Sequence, residues 1–338
     1  MIKIIRKNVF FTVFMAVFAL LTTACLVYGV AGDTIEKSFQ VKPGGKLILE
    51  TDIGSIEVYS GNTNTLELEV LQEAKTASSS RAERILEDFE VSFRQSGDTV
   101  YVTGEYRKGS LSRFWNNIGR YIRVKFQVTV PQEFNVDLKT RGGSISVDDL
   151  KGDVHSNTSG GSLTFSRIDG PVYGRTSGGS IKLTSCSGNA DVKTSGGSIT
   201  LGDVSGDVIA YTSGGSIKVG RAKGSVDVHT SGGGIHVEEA MGAIKAHTSG
   251  GSITAYVSDQ PESDCSLTTS GGSITVHLAE RIGLDLNARA SGGRVYTEFP
   301  VMVSGEISKS SLKAKINEGG PELYLYTSGG SIYIKKAD

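Results

Sequence analysis

The stretch Thr194-Ser195-Gly196-Gly197-Ser198-Ile199 is one copy of a six-residue phrase that decides the fold. The phrase or a near variant returns at every eighteenth position between Thr140 and Thr248. A fixed period of this kind is typical of solenoids, in which each repeat forms one coil and buries its apolar side against its neighbours. The first glycines of the pairs stand at positions 142, 160, 178, 196, 214, 232, 250, 271, 292 and 329.

Within each repeat, apolar and polar residues alternate in short runs. Counted from the first glycine, the places three, five, eight and twelve residues on are mostly apolar; Cys186 and Ser258 fall in the eight-place column. Alternation with period 2 indicates short strands, each with one buried face. We therefore predict an all-β fold, a parallel β-solenoid (β-helix) in which each eighteen-residue repeat forms one coil. Strand-crossover chirality predicts a right-handed coil.

An antiparallel meander is the alternative, because hairpins also use glycine turns. Hairpins do not require the same residue at every eighteenth position. Parallel stacking at about 4.8 Å per coil does, because equivalent side chains then meet in ladders. The glycine pairs are predicted to form the turns, where the missing Cβ permits positive φ or a tight approach of the backbone. These turn residues include Gly160, Gly161, Gly178, Gly179, Gly196, Gly197, Gly214 and Gly215.

The N-terminal segment 1–31 carries a basic start and an apolar run, which is the pattern of a secretory signal peptide. Cleavage is expected after Ala31, so the protein is predicted to be exported to the periplasm, the outer membrane, the cell surface or the medium. Cys25 leaves two alternatives open, a lipid anchor at that cysteine or an uncleaved anchor. The predicted membrane association is limited to this segment, because no later stretch approaches the roughly 20 apolar residues of a spanning helix.

Residues 32–139 are predicted to form an irregular β section that caps the solenoid, with one short helix near 80–90. The loop around Trp115 is expected to cover the end of the core or to contact a ligand. Residues 140–338 are assigned to the solenoid repeats, with loops near 259–264 and 306–320. Lys335 and Lys336 follow the last copy of the phrase, where they would protect a free sheet edge.

Charge and cysteine content exclude some functions. Removing the three positive charges of segment 1–31 from a net charge of −1 leaves −4, which gives no electrostatic basis for binding nucleic acid. Cys186 and Cys265 both fall in inward columns about 19 Å apart, at roughly 4.8 Å per coil. A disulfide cannot span that distance. We therefore expect two buried free thiols.

Three passages resemble the bacterial putative-adhesin family, in addition to the serial phrase itself. They are F-x-V-x-P-G-G-x-L at 39–47, the V-x-V-P passage that runs from 128 to 145, and N-x-G-G-P-x-L at 317–323. The family is a set of exported β-solenoid domains of largely unknown function. The resemblance covers nearly the whole chain after the signal peptide. It implies the fold and an exported location, and it carries over no catalytic residue.

The chain offers little for catalysis or for a cofactor. Its outward acids are scattered, without the pair of carboxylates about 5 Å apart that a retaining glycosidase uses. The repeat also lacks the Gly and Asp ligands of calcium-binding β-rolls. His229 and His247 fall on adjacent coils, with His236 as a further imidazole, but solvated side chains are the simpler interpretation. We predict no enzyme activity, no metal and no cofactor.

One outward column is the candidate for ligand binding. It holds cationic and aromatic side chains on successive coils, which suit an extended anionic polymer. We predict a non-enzymatic module that binds an envelope glycan or a surface protein through its flat outer faces. A structural rod or self-associating spacer is the alternative, and the oligomeric state is left open. The candidate contact residues are Arg175, Lys193, Tyr211, His229, His247 and Trp115.

Overall fold

The repeats fold into short β-strands, as predicted. The computed structural model describes residues 29–76, 79–106, 122–303 and 308–337. Cys25 and Trp115 lie outside these ranges. The chain divides into two compact units, Met1–Ile145 and Ser146–Asp338. The predicted all-β solenoid architecture is confirmed, and its right-handedness stays a prediction.

The first unit builds two sheets around alternating apolar residues. One sheet has the order β1-β4-β7-β3 and the other β8-β2-β6-β5, and the pairs β2/β8, β2/β6 and β3/β7 are parallel. Phe126 and Phe134 are completely buried in its core. The elements are β1 (Gly29–Gln40), β2 (Gly45–Thr51), β3 (Ser55–Gly61), β4 (Thr65–Thr76), α1 (Ser79–Glu87), β5 (Phe89–Ser96), β6 (Thr99–Tyr106), β7 (Ile122–Pro131) and β8 (Phe134–Thr140).

The second unit contains the regular coils, and β9 (Ile145–Val147) lies at the boundary between the units. Its elements are β10 (Leu150–Lys151), β11 (Val154–Thr158), β12 (Leu163–Asp169), β13 (Val172–Thr176), β14 (Ile181–Cys186), β15 (Ala190–Lys193), β16 (Ile199–Val204), β17 (Val208–Tyr211), β18 (Ile217–Ala222), β19 (Val226–Thr230), β20 (Ile235–Ala240), β21 (Ile244–Thr248), β22 (Ile253–Val257), β23 (Cys265–Thr269), β24 (Ile274–Leu278), β25 (Leu284–Ala290), β26 (Val295–Thr297), β27 (Val301–Val303), β28 (Ser311–Ile316), β29 (Glu322–Thr327) and β30 (Ile332–Lys336).

Each regular coil gives one strand to each of two parallel sheets. Residues one repeat apart are direct partners, as in Ile181 with Ile199 and Ile199 with Ile217. The inward columns are buried; Cys186 and Cys265 keep only 4% and 1% of their surface exposed, and both thiols are free. Burial raises the pKa of the Cys186 thiol to about 11. Full burial of an Ile or Val side chain contributes about 1.5–3 kcal/mol, so the ladders supply the core.

The threonine of the repeated phrase ties each coil to the one before it. Thr212 Oγ1 donates to the carbonyl oxygen of Gly197 at 2.7 Å and accepts from the Gly215 N–H at 3.4 Å. Thr194 and Thr230 make the same two bonds, with donor distances of 2.8 and 2.7 Å. Each threonine therefore satisfies one backbone group in each of two successive coils. We call this set of bonds the Thr–Gly ladder.

The second glycine of each pair is required by the close approach of neighbouring coils. A Cβ placed on Gly197 would lie less than 3.0 Å from the carbonyl oxygen of Gly179, and one on Gly215 would meet Gly197 in the same way. A Cβ on Gly196 would lie 3.3 Å from the Gly178 oxygen, where a small adjustment suffices. None of these glycines has positive φ. Absence of the side chain is thus the reason for glycine at the second place.

The last coils do not stack in sequence order. The final strand β30 lies between β24 and β26, and β29 lies between β23 and β25. The prediction that the final strand is a free edge is therefore wrong for Ile332–Ile334, which pair on both sides, whereas Lys335 and Lys336 pair with β24 alone. The segment predicted as a loop at 306–320 also contains β28, which pairs antiparallel with β25.

The inward column changes register once. Val237 of β20 is opposite Ala255 of β22, and Ala240 is opposite Val257. Three residues of β20 thus correspond to two residues of β22. Ser258 is therefore not the core residue that a strict count predicts. Val257 is 1% exposed and keeps the buried column apolar, so a hydroxyl does not take the place of an apolar side chain in the ladder.

Candidate binding stripe on the outer sheet face

The predicted contact residues of the solenoid lie in one continuous row. Arg175, Lys193, Tyr211, His229 and His247 stand at equivalent places on β13, β15, β17, β19 and β21, and each is the direct partner of the next. Strand pairing places successive members about 4.8 Å apart. We call these five residues the outward stripe. The outward direction of all five follows from the buried residues on either side of them.

At one end of the stripe, Arg175 is held in place by the next coil. Its Nη2 lies 2.6 Å from Asp191 Oδ2, and its Nη1 donates to the Asp191 carbonyl oxygen at 2.6 Å. Charge-assisted bonds of this kind fix the direction of the guanidinium. Arg175 is thus a positioned group, and its charge is balanced by Asp191.

Tyr211 connects the basic and the imidazole parts of the stripe. The Lys193 Nζ lies 4.8 Å from the centre of the Tyr211 ring, and the Tyr211 hydroxyl donates to Asp227 Oδ2 at 2.9 Å. Burial, and then the hydrogen bond to Asp227, raises the pKa of Tyr211 above its ordinary value. Tyr211 therefore stays protonated and acts as a hydrogen-bond donor.

The two imidazoles form a stacked pair. The ring centres of His229 and His247 are 4.8 Å apart and the planes are inclined by 13°. His247 Nδ1 and Thr268 Oγ1 form a hydrogen bond of 2.6 Å. Burial, and then the charge of His229, lowers the pKa of His247 below its ordinary value. The surroundings of His247 therefore favour its neutral form.

An open groove of about 600 Å³ follows the stripe from Lys193 to Thr268. Asp227, Lys245 and several small side chains complete its lining. Column counting missed Asp227 and Lys245, which stand two places before His229 and His247 on the same strands. Alternation puts residues two apart on one face, so the sequence contains that signal. The groove combines hydrogen-bond donors, aromatic rings and charge along an extended path.

The outcomes for Trp115 and His236 differ. Trp115 lies outside the described residues, so its role as a contact stays a prediction. His236 lies on β20 of the opposite sheet and does not join His229 and His247. Across the described ranges, no cluster of three His, Cys, Asp or Glu side chains could hold a metal ion. The same ranges contain no helix with the length and apolar content to span a bilayer.

A family comparison covers most of the chain. The model of the family Toastrack DUF4097 matches residues 47–335. The chain belongs to this toastrack family. No curated protein matches the sequence. The stacked parallel coils agree with membership of the toastrack family.

Solved structures similar to this toastrack chain share little sequence with it. A putative cell adhesion protein from Clostridium sporogenes is 14% identical, over 89% of this chain and 99% of that one, with a TM-score of 0.18. A putative adhesin from Bacteroides fragilis is 14% identical, over 72% and 96%, with a TM-score of 0.36. A putative lipid binding protein from Parabacteroides distasonis is 13% identical, over 90% and 97%, with a TM-score of 0.25. Similarity at this level assigns no ligand to the toastrack chain.

Proposed function

We propose that the chain is an exported, non-enzymatic binding module that engages an envelope glycan or a surface protein through the outward stripe. The observation that supports this most strongly is the unbroken row of five charged and aromatic side chains, of which Lys193, Tyr211, His229 and His247 line an open groove. A groove that continues over several coils suits an extended chain better than a compact small molecule, which normally binds in a concave site. The stripe is accordingly proposed as a contact surface for a linear ligand.

The acids beside the stripe support binding over catalysis. Asp191 is paired with Arg175, and Asp227 accepts the Tyr211 hydroxyl. Ile209 separates the two carboxylates in their column. General acid–base chemistry on a glycan needs two carboxyl groups that face one bond from opposite sides. Two acids engaged by neighbours on the same flat face do not provide this arrangement.

Replacing Arg175, Lys193 and Tyr211 together by alanine is expected to weaken binding to the recognised polymer by about tenfold or more, because a charge-assisted hydrogen bond is worth about 1.5–3 kcal/mol. The measurement is an array of envelope glycans and polymers probed with the purified protein, followed by titration of each ligand that binds. Raising the salt concentration should weaken an anionic ligand further.

The matched control is the alanine variant of Lys182, Lys218 and Tyr256, which also removes two cations and one tyrosine but from the opposite sheet. Its affinity should stay within about twofold of the unchanged protein, since surface changes away from a site are usually near neutral. Equal losses in the two variants would contradict the assignment of the stripe. An array without any ligand would favour the alternative of a structural spacer.

The proposed export and domain organisation need a separate test. We propose a signal peptide at 1–31, an N-terminal cap at 32–139 and solenoid repeats at 140–338. The intact mass of the protein recovered from a bacterial envelope fraction should correspond to a chain that begins at Gly32. A lipid-modified chain that begins at Cys25 would support the anchor alternative, and an unprocessed chain in the cytoplasm would contradict export.

A further inference from the structure

The groove beside the outward stripe has an excess of basic groups. Its lining contains two lysines, Lys193 and Lys245, one acid, Asp227, and the two imidazoles of His229 and His247. Within the described residues, neither lysine forms an ion pair; Lys193 lies over the Tyr211 ring instead. Asp227 already accepts the Tyr211 hydroxyl. The groove is therefore weakly positive when both imidazoles are neutral and gains two charges when both are protonated.

The surroundings of the histidine pair show how this charge is controlled. His229 faces Tyr211 from β17, Asp227 on its own strand, and Lys245 and His247 from β21. His247 faces His229, Lys245 on its own strand, and Thr268 and Ser266 from β23. One carboxylate thus faces the pair, together with one lysine and the hydroxyl groups of Tyr211, Thr268 and Ser266. In the described part of the chain, neither β21 nor β23 contains an acid, and Asp227 on β19 is the one acid of the groove lining.

We propose that the groove binds the anionic groups of a polymer, phosphate or carboxylate, and that binding strengthens as His229 and His247 take up protons. This inference rests on the proposed function, in which the outward stripe is a binding surface. It adds the chemical class of the ligand and the condition under which the ligand is held.

The coupling follows from the geometry of the stack. Two imidazolium rings with centres 4.8 Å apart repel each other, so the empty groove resists double protonation. An anion at the outer ring edges accepts hydrogen bonds from both rings and offsets that repulsion. Charge-assisted bonds to an oxyanion are stronger than neutral ones. Anion binding and proton uptake therefore favour each other, whereas burial, which lowers the pKa of His247, opposes the proton without an anion.

The test measures affinity of the full chain for two anionic polymers, sodium polyphosphate and polygalacturonate, with dextran as the neutral polymer. Both anions remain ionised over the range used, from about pH 7.5 to about pH 5.5, in which histidine titrates. Affinity for at least one of them should rise about tenfold on acidification, since one charge-assisted hydrogen bond is worth about that factor. Binding to polyphosphate alone identifies phosphate as the anion, and binding to polygalacturonate alone identifies carboxylate.

The decisive variant is His229→Gln with His247→Gln, which keeps polar side chains in the groove but cannot take up the protons. It should lose the rise in affinity on acidification. The matched control is His155→Gln with His277→Gln. Each of these histidines is also in a stacked ring pair, here with a tyrosine and with ring centres 4.4 and 4.0 Å apart, but neither lines the groove. The control should bind as the unchanged protein does. Circular dichroism of each variant shows whether the fold is intact.

Three results would overturn the inference: affinity that does not change with pH, a pH effect that persists in the His229→Gln/His247→Gln variant, or no binding to either polyanion at about pH 5.5. The proposed function would still stand after any of these results if the alanine variant of Arg175, Lys193 and Tyr211 had a lower affinity for a neutral polymer or a protein. If that variant instead bound every ligand as tightly as the unchanged protein does, the stripe itself would be rejected as a binding surface.

Discussion

Replacing Gly197 by alanine is expected to lower the free energy of unfolding by at least about 3 kcal/mol, the upper part of the range for overpacked sites. The new Cβ would lie less than 3.0 Å from the Gly179 carbonyl oxygen, and that oxygen belongs to the backbone of the preceding coil. The coils must separate locally to admit it. Separation would stretch the hydrogen bond from Thr194 Oγ1 to the same Gly179 oxygen, which joins these two coils. One methyl group therefore disturbs a whole coil interface.

Gly196→Ala is the matched control, since it adds the same methyl group one residue earlier. Its Cβ would lie 3.3 Å from the Gly178 oxygen, a mildly tight contact. Alanine also lowers the entropy of the unfolded chain, which stabilises by about 0.4–1 kcal/mol, so we expect a net change of less than about 1 kcal/mol. Urea unfolding followed by circular dichroism measures both variants. Similar unfolding midpoints for Gly196→Ala and Gly197→Ala would show that close approach is not the reason for the second glycine.

Replacing Thr212 by valine is expected to destabilise the protein by about 2 kcal/mol, because two backbone groups lose their partner and each such loss costs roughly 1–3 kcal/mol before water is admitted. Valine keeps the shape of threonine, and the site is 3% exposed, so packing changes little. The Gly197 oxygen and the Gly215 N–H are the groups left unpaired. The effect therefore isolates the hydroxyl.

Thr212→Ser is the complementary variant, since it keeps the hydroxyl and removes the methyl group. We expect a loss of about 1 kcal/mol, close to the value of one buried methylene. Urea unfolding again provides the comparison. A valine variant as stable as the original protein would contradict the importance of the Thr–Gly ladder, and the repeated threonine would then reflect packing alone.

The regular coils could be predicted from the sequence because their two signals are independent. The fixed period of the phrase gives the stacking, and the alternation around positions such as Ile199 and Ile217 gives the buried face. Threonine adds a further signal to the period and the alternation. Its fixed place three residues before the second glycine also contained the hydrogen-bonding pattern, since both partners of the hydroxyl lie in that turn or the preceding one.

The order of the last coils could not be predicted. A coil that ends in the repeated phrase offers the same Thr and Gly groups whichever coil lies beneath it, so the phrase does not specify its neighbour. Thr327 consequently bonds to Gly272, the carbonyl of a coil 55 residues earlier in the chain. The register change at Val257 has a similar origin, because counting cannot show which residue a shortened strand omits.

For the candidate site, the sequence predicts which residues lie in one row but not which of their charges are already paired. The column count correctly places Arg175, Lys193 and the residues that follow in one row. It does not show that Arg175 is already paired with Asp191, because that acid belongs to another column of the next coil. Whether the row binds a ligand depends on such pairings, which arise only when the coils are stacked.

The Thr–Gly ladder also determines how the stack would respond to a pulling force. A regular coil is one eighteen-residue repeat. Its height in the stack is about 4.8 Å, whereas its extended length is about 60 Å. A coil that opens under load therefore releases many times the length that it occupied, while the coils beyond it keep their own hydrogen bonds. Tension on a bound polymer would thus be relieved one coil at a time, and the chain could extend without losing the whole fold.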